Sequence, residues 1–367
     1  MTISTILHAL EQFAPPALQE SWDNTGLQLG SVGIDCTGVL ICLDVSPEVV
    51  DEAIERGCNL IISHHPLFFK GVKRLTGATP SQSAALKAIR ADITIYSTHT
   101  AIDSTPGGVS YELARLIGVE PLHVLAPAKD RLVHLQVIAP TDRAETVRDA
   151  LFDAGAGDVG NYDCCAFSLR GSGTFRPKEG AAPYTGTPGE TADVDETEIN
   201  VVLPTEKLAR VESVLREVHP YEEPAFTFTP MLNTLPHTGL GIYGTLETGL
   251  TPDRLVEKVK TALGIPSVRC SAYVGNDDVT IRRVALCGGA GGEFIPAAIA
   301  SGAQAYITAD VRYHDFQTYG NDILIIDAGH YQTETPIKNV ILHIISQKFP
   351  NFAVAISQRE SSPMIIC

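Results

Sequence analysis

The sequence contains no apolar stretch approaching the ~20 residues needed to cross a bilayer. Met1 to Leu10 lacks the basic segment and apolar run of a signal peptide. Membrane insertion and export drop out, and the cytoplasm is the expected location. Among eight cysteines, at 36, 42, 58, 164, 165, 270, 287 and 367, there is no C-x-x-C spacing. Several lie in apolar runs such as Val39 to Leu43, the pattern of buried free thiols in a reducing compartment. No Lys/Arg cluster offsets a formal charge of −16, from 43 acidic against 27 basic residues. Such a surface repels phosphate backbones and anionic lipids, so nucleic acid is an unfavourable partner.

What is present suits a folded chain: 44% of residues are hydrophobic and 19% charged, ordinary globular usage. At 367 residues it exceeds the usual size of one core, which predicts two or more packed units. Apolar positions Ile3, Ile6, Leu7, Leu10 and Phe13 recur at helical spacing. A strand-like run, Gly38 to Val45, is followed by Ser46-Pro47-Glu48, which offers a cap, a first-turn proline and a carboxylate matched to the helix dipole. That helix should stop at Gly57. Strand Cys58–Ser63, helix Ser81–Arg90, strand Ile93–Thr98 and helix Gly108–Ile117 follow.

The same alternation returns in strand Ile281–Cys287, helix Phe294–Ala300, strands Ala305–Thr308 and Ile323–Asp327, and helix Ile337–Gln347. The fold expected is α/β, one layered sheet core built from residues 1–129 and 237–367. Residues 130–236 differ in order and read as an inserted two-layer α+β unit. Its expected elements are strand Leu132–Ala139, helix Ala144–Ala154, strands near Phe167 and at Ile199–Leu203, and helix Lys207–Val218. Within it Arg176–Glu198, rich in Gly, Pro, Thr and acidic residues, reads as a surface loop.

Three strands of the α/β pattern end in residues that carry chemistry. His64 and His65 follow Leu60-Ile61-Ile62-Ser63, and His99 to Asp103 follow the next strand. His330 and Glu334 follow Ile323–Asp327. The carboxyl edge of a parallel sheet is where ligands bind in such folds. Pro336 disfavours helical geometry at Thr335, which predicts a strand-to-helix turn around His330 and Glu334 rather than a helix. Three imidazoles and two carboxylates exceed what one tetrahedral zinc needs, whereas paired metals would use all five. The set lacks thiolate, so zinc, iron and manganese all remain possible. Each residue also has a plainer reading: polar groups closing a strand, a turn residue before Pro106-Gly107-Gly108, or a polar helix entry. Gly288 to Glu293 resembles an anion loop without a P-loop's Lys-Ser/Thr. His314, in Arg312-Tyr313-His314-Asp315, echoes a class of all-helical phosphohydrolases that the strand-rich pattern contradicts.

Four stretches carry a resemblance: Trp22-Asp23-Asn24-Thr25-Gly26-Leu27, Ile62-Ser63-His64-His65-Pro66, Ser97-Thr98-His99-Thr100-Ala101-Ile102-Asp103 and Asp327-Ala328-Gly329-His330-Tyr331-Gln332-Thr333-Glu334. With them the chain resembles, almost end to end, the Nif-three-like family, also called GTP cyclohydrolase I type 2 homologues, in its longer bacterial form. Gly173 to Gly180 and His219-Pro220-Tyr221-Glu222-Glu223-Pro224 look like that family's middle domain, similar to the PII and CutA fold and ferredoxin-like in layout. The resemblance implies a dinuclear metal site at His64, His65, Asp103, His330 and Glu334, and a toroidal homohexamer. It leads to an expected metal-dependent hydrolase of a nucleotide or phosphoester, with His99 or His314 moving protons and Trp22, Asp23 and Asn24 touching substrate. The alternative is a non-enzymatic, metal-responsive or metal-delivery assembly. A phosphoesterase of the Asp-His-His type ranks last, since Ser63 precedes His64 and Asp44 stands alone between Leu43 and Val45.

Overall fold

The computed structural model describes residues 1–272 and 278–364, so Cys367 lies outside the described residues. The chain divides into one unit of Met1–Pro127 with Pro236–Cys367 and a second of Ala128–Leu235.

In the first unit the expected single core is two sheets. A five-stranded sheet runs Gly26–Leu29, Thr94–Ser97, Leu60–Ser63, Val39–Cys42, Val354–Ile356, parallel except at the Gly26–Leu29 edge. A six-stranded sheet runs Arg269–Cys270, Leu324–Asp327, Ala305–Ala309, Ile281–Ala290, Gly239–Leu250, Val119–Pro127. Each sheet borrows from the far end of the chain: Val354–Ile356 completes the first, and Val119–Pro127 closes the edge of the second.

Four short strands, Val39–Cys42, Leu60–Ser63, Thr94–Ser97 and Leu324–Asp327, are buried at every position. That is the condition of parallel strands covered on both faces. Alternation sorts their side chains. Val39 and Ile41 pack with Ile3, Ile6 and Leu10 of one helix and with Ile337, Ile341 and Ile345 of another. Leu40 and Cys42 face Val49, Val50, Ala53 and Ala84 on the other side. Burying each Leu or Ile contributes roughly 1.5–3 kcal/mol, so these two layers fix where the strand ends lie. The helix Pro47–Arg56 begins as its sequence predicts, with the Ser46 hydroxyl accepting from the Val49 amide, and ends at Gly57, whose φ of 68° is left-handed.

The second unit has a four-stranded antiparallel sheet in the order Ala166–Phe175, Ala192–Pro204, Leu132–Pro140, Ala225–Pro230. Helices Ala144–Asp153 and Leu208–Val218 bury Val147, Leu151, Val211 and Leu215 against Leu135, Val137, Ile199 and Val201. In chain order this is a βαββαβ arrangement. The loop expected over Arg176–Glu198 gives way to strand from Ala192 onward. Its acidic residues Asp193 and Asp195 form the exposed face of a half-buried strand, so their polarity conceals the alternation.

The cysteine expectation needs a correction. Cys36, Cys42, Cys58 and Cys287 are buried, but Cys164 is exposed and Cys165 and Cys270 are half-buried. Among the described residues no helix is long and apolar enough to cross a membrane.

Candidate metal centre

The strand Leu60–Ser63 delivers His64 and His65 without breaking the ladder: the His64 amide donates to the Cys42 carbonyl and the His65 amide to the Leu43 carbonyl. The Ser63 hydroxyl donates to the His65 carbonyl at 2.8 Å and braces the turn. On the neighbouring strand the chain passes through His99 at φ 24°, outside the usual range for a side-chain-bearing residue, into a short helix, His99–Asp103. In the second sheet Leu324–Asp327 leads through Gly329 at φ 87° into the helix His330–Glu334.

That helix overturns the turn expected there. Thr335 is helical at φ −47°, ψ −36° despite Pro336. Its amide and its hydroxyl both donate to the Tyr331 carbonyl, at 2.9 and 2.6 Å, which holds it in place. His330 and Glu334 thus share a helix face at i, i+4.

The five residues named from sequence meet here. His65 Nε2 lies 2.9 Å from Glu334 Oε2, and His330 Nε2 lies 3.2 Å from Glu334 Oε1 and 3.4 Å from His65 Nε2. His64 Nε2 is 3.7 Å from both Asp103 Oδ1 and Glu334 Oε1. His64, His65 and Glu334 form the tightest set, each offering one donor atom within 4.8 Å of the others. His64 is fully buried, yet among the described residues neither of its ring nitrogens has a hydrogen-bond partner, and neither does Asp103 Oδ1. Leaving buried polar atoms unsatisfied costs roughly 1–3 kcal/mol each, so their convergence fits a cation held among them.

Electrostatics agree. Burial lowers the His64 pKa to about 4, which keeps its nitrogens free of a second proton and able to ligate. Burial alone would also lower His65 and His330, but carboxylates outweigh it. Asp44 and Glu334 lift His65 to about 10, and Glu334 and Asp310 lift His330 to about 9. Burial, and then the Glu334 charge, push Asp103 well above the usual carboxylate range. Glu334 resists its own burial and stays well below that range because three imidazoles face it.

Two partners escaped the sequence reading. Asp44, set aside there as isolated, accepts from His65 Nδ1 at 2.9 Å, and Asp310 accepts from His330 Nδ1 at 2.7 Å. Both sit just beyond a strand, after Val39–Cys42 and Ala305–Ala309. Each fixes its histidine's tautomer so that Nε2 faces the cluster.

Gly289 is a third such residue. At Gly289, φ 66°, an added Cβ would lie 2.0 Å from Glu334 Oε1, so the glycine makes room for the carboxylate. Gly289→Ala is expected to displace Glu334 and lower metal content per subunit while far-UV circular dichroism stays unchanged. Full metal content in that variant would show that the carboxylate does not depend on this gap.

The other named residues divide. The His99 ring lies 5.6 Å from those of both His64 and His65, and its Nδ1 donates to Asp23 at 2.7 Å. The Asp23 side chain is turned into the protein: it has no exposed surface and also accepts from the Thr100 amide and hydroxyl. Asn24 ties loops together, donating to the Phe68 carbonyl at 2.6 Å. Trp22 remains 61% exposed, edge-on to His99 at 5.7 Å. His314 is exposed and turned toward Gln317, and among the described residues no hydrogen bond, ion pair or ring contact joins it to the cluster.

A family model described as Duf34/NIF3 (NGG1p interacting factor 3) matches residues 1–363. Curated relatives include proteins named GTP cyclohydrolase 1 type 2 homolog. The one from Halalkalibacterium halodurans is 36% identical over 89% of this chain and 87% of its own length. The one from Bacillus subtilis is 37% identical, with coverage of 89% and 87%. Among solved structures, a Bacillus cereus protein related to NIF3 superposes with a TM-score of 0.82 at 35% identity, covering 100% of this chain and 99% of its own. Both sheets, the clustered histidines and a match that leaves out only the last four residues point one way: the chain belongs to the DUF34/NIF3 family.

Proposed function

We propose that the protein is a metal-dependent hydrolase acting on a nucleotide or phosphoester, with two divalent cations, zinc, iron or manganese, held by His64, His65, Asp103, His330 and Glu334. The observation that carries the reading is the buried His64 imidazole, whose two nitrogens have no hydrogen-bond partner among the described residues. When bound, divalent cations would supply Lewis acidity and an activated water at neutral pH. The chain's own contribution is proton handling and reception of substrate. Asp23 holds the His99 Nδ1 proton and so fixes the tautomer, the arrangement of a general base and its orienting carboxylate.

Substrate charge has a counterpart at the same edge. Lys70, Lys73 and Arg74 lie exposed in the loop that follows His65-Pro66, and among the described residues none forms an ion pair. Lying together in Lys70-Gly71-Val72-Lys73-Arg74, they correct the expectation that no Lys/Arg cluster locally offsets the charge of −16. Phe69, 51% exposed, lies 5.4 Å from the His99 ring, and with Trp22 it offers aromatic surface beside the cations. Cations next to exposed rings suit a phosphate attached to a flat organic body. The relatives' name carries GTP into this reading as one candidate. A PII/CutA-like role for the second unit and a toroidal homohexamer complete the proposal, and both rest on resemblance.

The test loads purified protein with zinc, iron(II) or manganese and screens nucleotides and aryl phosphoesters. Turnover is expected, and His99→Ala should reduce it ~10²–10⁴-fold with metal content unchanged. No turnover of any such substrate by the loaded protein would refute the hydrolase and leave the metal-delivery alternative.

A further inference from the structure

The two motifs in the second unit, Gly173 to Gly180 and His219 to Pro224, have no part in the metal centre. They are 39 or more residues apart in sequence, yet they line one cavity of about 470 Å³ within that unit, a volume suited to a small molecule. Its walls include the rings of Phe175, Tyr184 and Tyr221 and the carboxylates of Glu196, Glu222 and Glu223. The Phe175 and Tyr184 rings lie 5.8 and 6.3 Å from that of Tyr221.

The wall is built rather than incidental. Glu196 Oε1 accepts from the Tyr221 hydroxyl at 2.7 Å. Its Oε2 occupies the place of a missing side chain, because a Cβ on Gly173 would lie 1.6 Å away. The Ala182 amide donates to Glu222 at 3.1 Å and folds the segment bearing Tyr184 back onto the sheet. His219 explains the start of its motif. Its Nδ1 accepts from the Tyr221 amide at 3.0 Å and its Nε2 donates to the Ile138 carbonyl at 2.9 Å. That pattern uses both nitrogens of a neutral imidazole, so His219 sets Tyr221 and brings no positive charge.

Among the described residues no Lys, Arg or His lines the cavity. Arg143 reaches the wall only at the Tyr184 hydroxyl, 3.3 Å away, and that hydroxyl also donates to Asp142. Aromatic faces and carboxylates without a resident cation attract positive charge on an apolar body and repel phosphate.

We propose that this cavity is a second ligand site that takes a small organic cation, an amine, amidinium or guanidinium carried on a flat apolar body. It stands independently of the hydrolase reading, since it uses none of the residues of the metal centre.

The test is calorimetric titration of the intact chain with three isosteric probes: benzamidine, benzamide and benzoate. Benzamidine is expected to bind saturably, benzamide at least ~10-fold more weakly, and benzoate not at all. Glu196→Gln, which keeps the side chain's shape, should cost benzamidine at least ~10-fold while circular dichroism is unchanged. Gly173→Ala, which must displace Glu196, should do the same. Equal binding of benzamide, absence of saturable benzamidine binding, or wild-type affinity in a folded Glu196→Gln variant would each overturn the proposal.

Discussion

Glu334→Gln is expected to empty the metal centre while leaving the chain folded. One carboxylate here faces three imidazoles, at 3.7, 2.9 and 3.2 Å from His64, His65 and His330. Loss of an outer partner such as Asp44 weakens a metal site ~10–100-fold, so loss of this central charge should exceed ~100-fold. Removing one member of a buried ion pair can destabilise by ~3–5 kcal/mol, but here the imidazoles can shed their protons instead. Above about pH 10, where both imidazoles are already neutral, the cost to folding should therefore be small, and it should grow as pH falls toward 7. Metal analysis of protein purified without chelator, beside a denaturation curve, checks both halves. Retention of metal would remove Glu334 from the ligand set, and unfolding would make its role structural.

The second large effect concerns pH. In the metal-free protein His65 and His330 titrate near 10 and 9, raised by Asp44, Glu334 and Asp310 against burial. At pH 7.5 both carry a proton on the Nε2 that a metal needs, so uptake must expel them. Apparent affinity should then rise up to ~100-fold per pH unit below about 9, ~10-fold per unit between 9 and 10, and level off above. Stability of the metal-free chain should run the other way. Folded pKa values above the unfolded ~6.5 give stabilisation that is full below that pH and lost as pH rises through about 9 and then 10. Proton release on adding zinc to weakly buffered protein, and denaturation midpoints at pH 6 and 10 after chelation, read the two trends. Metal uptake without proton release would contradict this account of the site.

Much of the site was legible because short, fully apolar runs end abruptly in polar residues, as Leu60-Ile61-Ile62-Ser63 does before His64. A buried strand can end that way only where its sheet opens. Asp44 and Asp310 were not legible: each is a lone acidic residue after a strand, and only the fold brings it to a histidine from another element. Gly239–Leu250 was missed because glycines at 239, 241, 244 and 249 mask a strand stabilised by long-range pairing with Val119–Pro127. His314 failed for the opposite reason, a suggestive dipeptide without a geometric partner at the site. The helix at His330 was hidden by Pro336, whose local preference yields to two bonds from Thr335.

The completion of the first sheet by Val354–Ile356 also bears on how the protein is made. Just beyond that strand, Glu360 accepts from the amides of Leu43 and Asp44, residues 317 and 316 positions earlier, and pairs with the buried Lys338 at 2.6 Å. The backbone that carries Asp44, and through it the set of His65, is thus fixed by a residue synthesised more than 300 positions later. A nascent chain emerging from the ribosome has His64, His65 and Asp103 in hand but neither Glu334 nor this clasp. The full cluster can therefore form only once Glu334 and Glu360 have been synthesised, and closing so long a loop is a slow step in folding.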